Sequence, residues 1–175
     1  ATGAAKAAGE LLLSLAASEL TVLSETKRDI KLAADRQAEA LIIEHLAASG
    51  YPMLAEEGGE LGDLSGDGPI WIVDPLDGTM NFSRGIPLCC VSIALFESGE
   101  PVLGVVHDFN RGETFTGIVG AGAWLNDVPI SVSSAASADQ SILATGFPIR
   151  RDHGVEAMGQ FVEQVGHFRK TRMLG

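Results

Sequence analysis

The sequence predicts an α+β fold in which a pair of helices packs on an antiparallel sheet. Two stretches near the N-terminus repeat apolar residues at helical spacing, and short runs typical of strands follow residue 69. Helical and strand-like stretches are separated along the chain and do not alternate, as is usual for α+β domains. With 175 residues, 46% of them hydrophobic, the chain can bury one core and begin a second.

Each of the two N-terminal stretches predicts one amphipathic helix. In the first, the apolar stripe consists of Leu11, Leu12, Leu15, Leu20 and Leu23. In the second, which runs from about Ala33 to Ala48, the stripe consists of Ala34, Ala38, Leu41, Ile42 and Leu46. Because both stripes need burial, we expect the two helices to pack against a common partner.

The predicted strands follow a glycine-rich loop from Glu57 to Pro69. We expect them at Ile70–Val73, Leu88–Glu97, Val102–Asp108, Thr114–Val119, Ala123–Leu125 and Ile130–Val132. Asn126 and Asp127 separate the last two runs and suit a two-residue hairpin turn. Together these runs predict an antiparallel meander.

The C-terminal part of the chain has a different pattern. After the small residues from Ser133 to Ala138, a strand is predicted at Ser141–Thr145 and a helix at Val155–Val165. We therefore predict an N-terminal metal-binding domain over residues 1–138 and the beginning of a C-terminal α/β domain over residues 139–175. Since the chain stops directly after a strand-like run, we expect more polypeptide to follow it in the intact protein.

The charge balance restricts the classes of partner. Twelve basic residues face 23 acidic ones, for a net charge of −11. This excess disfavours binding of nucleic acid polymers and of anionic membranes, but a small phosphorylated substrate remains compatible if bound cations reverse the charge locally. Cys89 and Cys90 are adjacent and cannot join distant segments by a disulfide, so a reduced, cytoplasmic protein is expected.

The most informative stretch is residues 71–82, Trp-Ile-Val-Asp-Pro-Leu-Asp-Gly-Thr-Met-Asn-Phe. An apolar strand is predicted to end at Asp74, Pro75 is expected to turn the chain, and Asp77 follows three residues after the first carboxylate. Two carboxylates and the intervening Leu76 carbonyl are oxygen ligands of the kind that Mg²⁺ prefers. Aspartate and proline are also common turn residues, so the motif alone leaves a purely structural interpretation open.

The next residues of this stretch suit an anion. Gly78 allows the backbone to approach a phosphate closely, and a helical turn beginning at Thr79 would present free N–H groups to it. Further acids precede the stretch at Glu56, Glu57 and Asp35. The glutamates could equally form a solvated loop edge, and Asp35 could simply favour the start of the second helix through its charge.

Residues 74–82 resemble the signature of the inositol monophosphatase superfamily, Asp-Pro-x-Asp-Gly-Thr-x-Asn-Phe, at every fixed position. The paired glutamates, the segment ending at Asp35, and the runs Gly120–Trp124 and Ala144–Pro148 follow the order found in that family. The resemblance covers nearly the whole chain. It implies the sugar phosphatase fold, with the helix pair on an antiparallel sheet leading into an α/β second domain.

The resemblance also implies a metal site. Glu56, Asp74 and the Leu76 carbonyl would hold a first Mg²⁺, while Asp74 and Asp77 would contribute to a second. Glu57 would be a neighbour with a weaker claim. In this family, paired metals neutralise charge on the attacking and leaving oxygens of the phosphate.

Catalytic roles carry over in the same way. Thr79, hydrogen-bonded to Asp35, would orient and help deprotonate a metal-bound water near Glu56, which attacks phosphorus in line. The backbone N–H groups of Gly78 and Thr79 would bind the substrate phosphate. No covalent phosphoenzyme is needed in this scheme.

The resemblance implies Mg²⁺-dependent hydrolysis of a small phosphate monoester, with inositol monophosphate first and 3′-phosphoadenosine 5′-phosphate second. Fructose 1,6-bisphosphate and histidinol phosphate are further substrates of the family, and lithium inhibition and a homodimer are also implied. The family's second signature, Trp-Asp-x-Ala-Ala-Gly, is absent from the sequence, together with one acid ligand of the second metal. A non-catalytic metal- or phosphate-binding module is therefore the alternative.

Overall fold

The computed structural model of the chain describes residues 1–17, 21–25, 30–146 and 154–173. Two compact units are present, Ala1–Ser131 and Val132–Gly175. The first unit packs helices on a mostly antiparallel sheet, which confirms the α+β prediction. The domain limits at residues 138 and 139 stay a prediction.

One sheet of eight strands forms the centre of the first unit. In spatial order they are β10 (Val128–Ile130), β9 (Gly122–Leu125), β8 (Glu113–Ile118), β7 (Glu100–Asp108), β6 (Cys90–Glu97), β5 (Ile70–Asp77), β3 (Met53–Ala55) and β4 (Gly59–Leu61). From β5 to β10 every neighbour is antiparallel and consecutive in the chain, so the predicted meander is confirmed. Asn126 and Asp127 both have positive φ at the last hairpin, as its two-residue turn requires.

Strands β3 and β4 were not predicted. Strand β3 pairs in parallel with β5, and β4 lies inside the segment predicted as a glycine-rich loop. Each has only three residues, which is too short for an alternating pattern to stand out in the sequence. Their pairing depends on contacts between segments distant in the chain.

The second predicted helix is confirmed as α2 (Ala33–Leu46), followed by a 3₁₀ turn over Ala47–Ser49. It buries four residues of the predicted stripe: Ala34, Ala38, Ile42 and Leu46. It also buries two acids, Asp35 and Glu39, one helical turn apart. The sequence pattern did not predict that these two carboxylates would be inside.

The first helix differs from its prediction. Helix α1 spans Thr2–Ala16, whereas Leu23 lies in β1 (Val22–Glu25), which pairs with β2 (Ile30–Leu32), and Leu20 lies outside the described residues. Its buried face consists of Ala4, Ala5, Ala8, Gly9 and Leu12. Small residues let the helix axis approach the sheet closely, so the buried face consists mostly of alanine and glycine. The spacing of the leucines therefore predicted the wrong buried face.

The core lies between these helices and one face of the sheet. Inward-pointing residues of three adjacent strands contribute Val73, Val91, Ile93 and Val105, all nearly inaccessible to solvent. Ile72 and Asp74 alternate with them along β5 and therefore point to the opposite face. The candidate acids of β5 are thus placed on the side away from the helices.

The second unit contains β11 (Ile142–Thr145), α4 (Val155–Gly166) and β12 (Lys170–Met173). The two strands pair in parallel, and the helix lies between them in the chain, as a parallel pair requires. The predicted strand and helix of this region are confirmed. Pro148 of the predicted family motif lies outside the described residues. Within the described ranges, the longest helices fall short of the length and apolar character needed to cross a bilayer.

Candidate functional site

An irregularity in β5 brings Asp74 and Asp77 to the same face of the sheet. Asp74 lies opposite Ser92 of β6 and Asp77 opposite Cys90, so β5 has one more residue than β6 over this interval. Residues three apart normally point to opposite faces, but a bulge of one residue cancels that alternation. The prediction that Pro75 turns the chain is wrong, because β5 continues through Pro75 to Asp77 and proline is tolerated at a bulge.

Glu56 reaches the same place from β3. Its N–H donates to the Val73 carbonyl at 3.2 Å, which continues the parallel pairing of β3 with β5 by one residue. Because Ala55 is paired with Val73, Glu56 follows beside Asp74, near enough for the charge of Asp74 to raise the pKa of Glu56. A cavity of about 320 Å³ is lined by these two acids together with Leu54 and Ile72.

Gly78 connects β5 to a short helix, α3 (Thr79–Ser83), and the predicted helical turn at Thr79 is thereby confirmed. Gly78 has φ 86° and ψ 36°, in the left-handed region that favours glycine. A Cβ at this position would lie 2.7 Å from the Leu88 carbonyl oxygen. The Phe82 N–H closes the first turn on the Gly78 carbonyl, so the earlier N–H groups of α3 have no acceptor within the helix.

Thr79 links this turn to α2. Its hydroxyl lies 3.0 Å from Asp35 Oδ1 and also 3.0 Å from the Leu76 carbonyl oxygen. Asp35 is buried, and its other oxygen accepts the Leu32 N–H at 2.7 Å. The carboxylate therefore serves both the start of α2 and the side chain of Thr79.

Burial and mutual repulsion raise the pKa of three acids at the site. Desolvation, followed by the charge of Asp74, raises the pKa of Glu56 to about 7. Desolvation is also the main cause that raises the pKa values of Asp74 and Asp35. When these carboxyl groups ionise, each is repelled by a neighbouring acid. A bound cation would reduce this repulsion.

The candidate donor atoms in this region are all oxygens, from Glu56, Asp74, Asp77 and the Leu76 carbonyl. Oxygen donors of this kind suit a hard cation that keeps several water ligands. These are the four residues of the sequence prediction, and their role as metal ligands stays a prediction. Among the side chains that the structure describes, no three histidine, cysteine, aspartate or glutamate residues are grouped so that they could hold a metal ion.

Two residues of the signature, Asn81 and Phe82, make contacts that stabilise the turn. The Asn81 side-chain amide donates to the Leu88 carbonyl at 2.8 Å, and Phe82 is buried in an edge-to-face contact with Phe109, with 6.1 Å between ring centroids. They anchor α3 to the segment that leads into β6 and to the core.

One neighbour of the site was missed by sequence reasoning. The Cys90 thiol lies 3.8 Å from an Asp77 carboxylate oxygen, because the two residues are paired across β5 and β6. Desolvation and the charges of Asp77 and Asp74 raise the pKa of Cys90 to about 12, so the thiol stays protonated at neutral pH. Only the strand register could have revealed this proximity.

Comparison with curated proteins gives close relatives. The chain is 43% identical over 155 residues to an inositol-1-monophosphatase of Synechocystis, a match covering 86% of this chain and 53% of that protein. A Nus factor SuhB of Xylella fastidiosa is 42% identical over 152 residues, with 84% and 54% covered. The chain thus spans about half the length of these relatives.

Solved structures show the same fold. The extragenic suppressor protein SuhB of Bartonella henselae matches with a TM-score of 0.88 and 34% identity, over 99% of this chain and 68% of that one. The inositol monophosphatase of Anabaena matches with a TM-score of 0.84 and 34% identity, over 100% and 65%. A family model described as the inositol monophosphatase family matches residues 1–175. The chain belongs to the inositol monophosphatase family.

Proposed function

We propose that the chain supplies the metal-binding and water-activating half of a Mg²⁺-dependent phosphomonoesterase, with inositol monophosphate as the leading substrate. The observation that carries the proposal is that Glu56, just after β3, and Asp74, in β5, line one pocket, and that the pKa of each is raised by desolvation and by a neighbouring acid. Like charges are rarely brought together without a cation or a proton to stabilise them.

The residues present fit Mg²⁺ by their chemistry. Glu56, Asp74 and the Leu76 carbonyl would hold one ion, and Asp74 with Asp77 would contribute to a second. When bound, Mg²⁺ would lower the pKa of a water and neutralise charge on the phosphate oxygens. The chain's own residues then have to orient that water and bind the phosphate.

Thr79 is suited to orient and deprotonate the water. Its hydroxyl has one proton and two acceptors at 3.0 Å, Asp35 Oδ1 and the Leu76 carbonyl oxygen. When the Leu76 carbonyl is engaged as a ligand, the proton is directed to Asp35, and the Thr79 oxygen is left free to accept a proton from water. Because burial raises the pKa of Asp35, its carboxylate is a better proton acceptor than an exposed aspartate.

The phosphate would bind at the turn between β5 and α3. The N–H groups of Gly78 and Thr79 are the candidates, since glycine permits close approach and the first N–H groups of a helix lack acceptors within it. Inositol monophosphate leads and 3′-phosphoadenosine 5′-phosphate follows. Lithium inhibition, a homodimer and a cytoplasmic location remain predictions from the family resemblance.

Phosphate release tests the proposal directly. Inositol 1-phosphate and 3′-phosphoadenosine 5′-phosphate would be supplied with and without Mg²⁺ to the wild-type chain, to Asp74→Asn and to Asp67→Asn. Asp67 is exposed in the loop before β5, so its substitution is the matched control. We expect Mg²⁺-dependent release that Asp74→Asn abolishes and Asp67→Asn leaves unchanged.

The alternative is a non-catalytic metal- or phosphate-binding module. The observation behind it is that, among the side chains the structure describes, no three carboxylate, imidazole or thiol groups are grouped so that they could hold a metal ion. Metal binding detected by calorimetry with no release of phosphate from either substrate would support this alternative. Release that persists in Asp74→Asn would contradict the proposed site.

A further inference from the structure

We propose that Glu39 is a positioning residue, which holds the Glu56–Glu57 segment against α2 and thereby sets the metal affinity of the site. The inference rests on the proposed function and concerns a residue that the proposed mechanism does not use. Glu39 is only 4% exposed and lies one helical turn after Asp35. A buried carboxylate requires hydrogen-bond donors, so its partners indicate its role.

The partner of Glu39 is the backbone next to the site. Its Oε2 accepts the Glu57 N–H at 2.8 Å, across 18 residues of sequence. The preceding N–H, that of Glu56, donates to the Val73 carbonyl of β5. Two consecutive N–H groups are therefore held from two sides, one by the sheet and one by α2. This double attachment determines the direction in which the Glu56 side chain leaves the backbone.

Gly58, the residue after the Glu56–Glu57 segment, also lies close to the Glu39 carboxylate. A Cβ on Gly58 would lie 3.0 Å from Glu39 Oε1, so a side chain there would press on the carboxylate. The φ angle of Gly58 lies outside the left-handed region, so this angle does not require a glycine. Its smallness is thus explained by the proximity of Glu39 and not by the conformation of the chain.

Helix α2 consequently contacts two segments of the candidate site, the turn at Thr79 and the segment Glu56–Glu57, through two acids on one helix face. Asp35 binds the Thr79 hydroxyl and Glu39 binds the Glu57 amide. Substitution of a residue that orients a metal ligand without touching the metal typically lowers metal affinity by roughly 10- to 100-fold. We expect an effect of this size on Mg²⁺ binding from the loss of the Glu39 oxygen.

The test compares substitutions in the full chain by calorimetric Mg²⁺ titration. Glu39→Ala is expected to weaken Mg²⁺ binding roughly 10-fold or more, and Glu39→Gln, which keeps an acceptor oxygen, to restore most of the affinity. Glu44→Ala is the matched control, since Glu44 is an exposed acid on the same helix. Wild-type affinity in Glu39→Ala would overturn the inference.

A second variant covers a failure of Glu39→Ala to fold. Gly58→Ala keeps the Glu39 carboxylate but presses on it, so it should also weaken Mg²⁺ binding. Gly66→Ala should not, because its Cβ would meet only the Gly68 nitrogen, at 3.9 Å. Unchanged Mg²⁺ affinity in a folded Gly58→Ala would count against the inference.

Hydrogen exchange at the Glu57 amide gives a readout that needs no metal. Protection should be lost in Glu39→Ala and kept in Glu39→Gln and Glu44→Ala. If the amide behaves in this way but the wild-type chain binds no Mg²⁺, the proposed function is overturned and the attachment by Glu39 stands. Protection that persists in Glu39→Ala would overturn the attachment itself.

Discussion

The Thr79 hydroxyl lies 3.0 Å from Asp35 Oδ1, although 44 positions separate the two residues in the chain. This hydrogen bond joins the start of α3 to the start of α2. It places a hydroxyl with a buried proton acceptor near Glu56, which follows β3 and whose pKa the charge of Asp35 helps to raise. The proposed catalytic step depends on this pair.

Thr79→Ala should therefore impair catalysis more than substrate binding. Loss of the hydroxyl removes the group proposed to take a proton from water, and kcat for inositol 1-phosphate should fall roughly 100-fold or more. Thr79→Ser keeps the hydroxyl and is expected to stay within roughly 10-fold of wild type in kcat. Steady-state phosphate release measures both variants, and equal kcat values for Thr79→Ala and wild type would exclude the proposed role.

Gly78→Ala should destabilise the turn that carries the site. The positive φ disfavours alanine, and its Cβ would meet the Leu88 carbonyl oxygen at 2.7 Å, for a combined loss of about 2–4 kcal/mol in the free energy of unfolding. Gly85→Ala is a matched control with positive φ and open space, and should cost only about 1 kcal/mol. Urea unfolding compares the two, and equal losses would show that the steric contact is unimportant.

Gly9→Ala and Gly3→Ala should act in opposite directions although both lie in α1. At Gly9 a Cβ would come within 2.7 Å of His107 Cδ2 and 2.8 Å of Phe109 Cβ, so we expect a loss of about 1–3 kcal/mol. At Gly3 no atom lies within 4 Å, and alanine should stabilise the helix by up to about 1 kcal/mol. Thermal unfolding distinguishes the outcomes, and a stabilising Gly9→Ala would mean that α1 packs less closely than described.

Without metal, the stability of the chain should fall as pH rises. Glu56 has a pKa raised from 4.5 to about 7, so the folded chain binds more protons than the unfolded chain between these values. The free energy of unfolding contributed by this group is complete below about pH 4.5 and decreases as pH rises through 7. The raised pKa values of Asp35 and Asp74 act in the same direction.

Glu56→Gln should flatten this pH dependence, because the amide cannot ionise. Glu60→Gln, at an exposed position on β4, is the matched control and should retain the wild-type slope. Urea unfolding in metal-free buffer from pH 4.5 to 8 makes the measurement. A wild-type slope in Glu56→Gln would show that this acid is not the source.

Local patterns in the sequence predicted some elements accurately. Helix α2 has a regular apolar stripe, and the meander has alternating runs separated by turn residues, so each could be recognised within a short window. Helix α1 was misplaced because its leucines continue toward Leu23, whereas the helix packs through alanines and Gly9. Close packing of a helix on a sheet favours small residues, and the spacing of large apolar residues does not predict where such packing occurs.

The sequence by itself determined which groups the candidate site offers, since the signature from Asp74 to Phe82 contains two carboxylates, the glycine and the hydroxyl, and Asp35 and Glu56 precede it. Only the tertiary structure decided how they meet. The bulge that turns Asp74 and Asp77 to one face, the parallel pairing that brings Glu56 to Asp74, and the burial of Glu39 behind Glu57 all arise between distant segments. Spacing along a chain specifies which groups are available, but distances between strands and helices depend on packing.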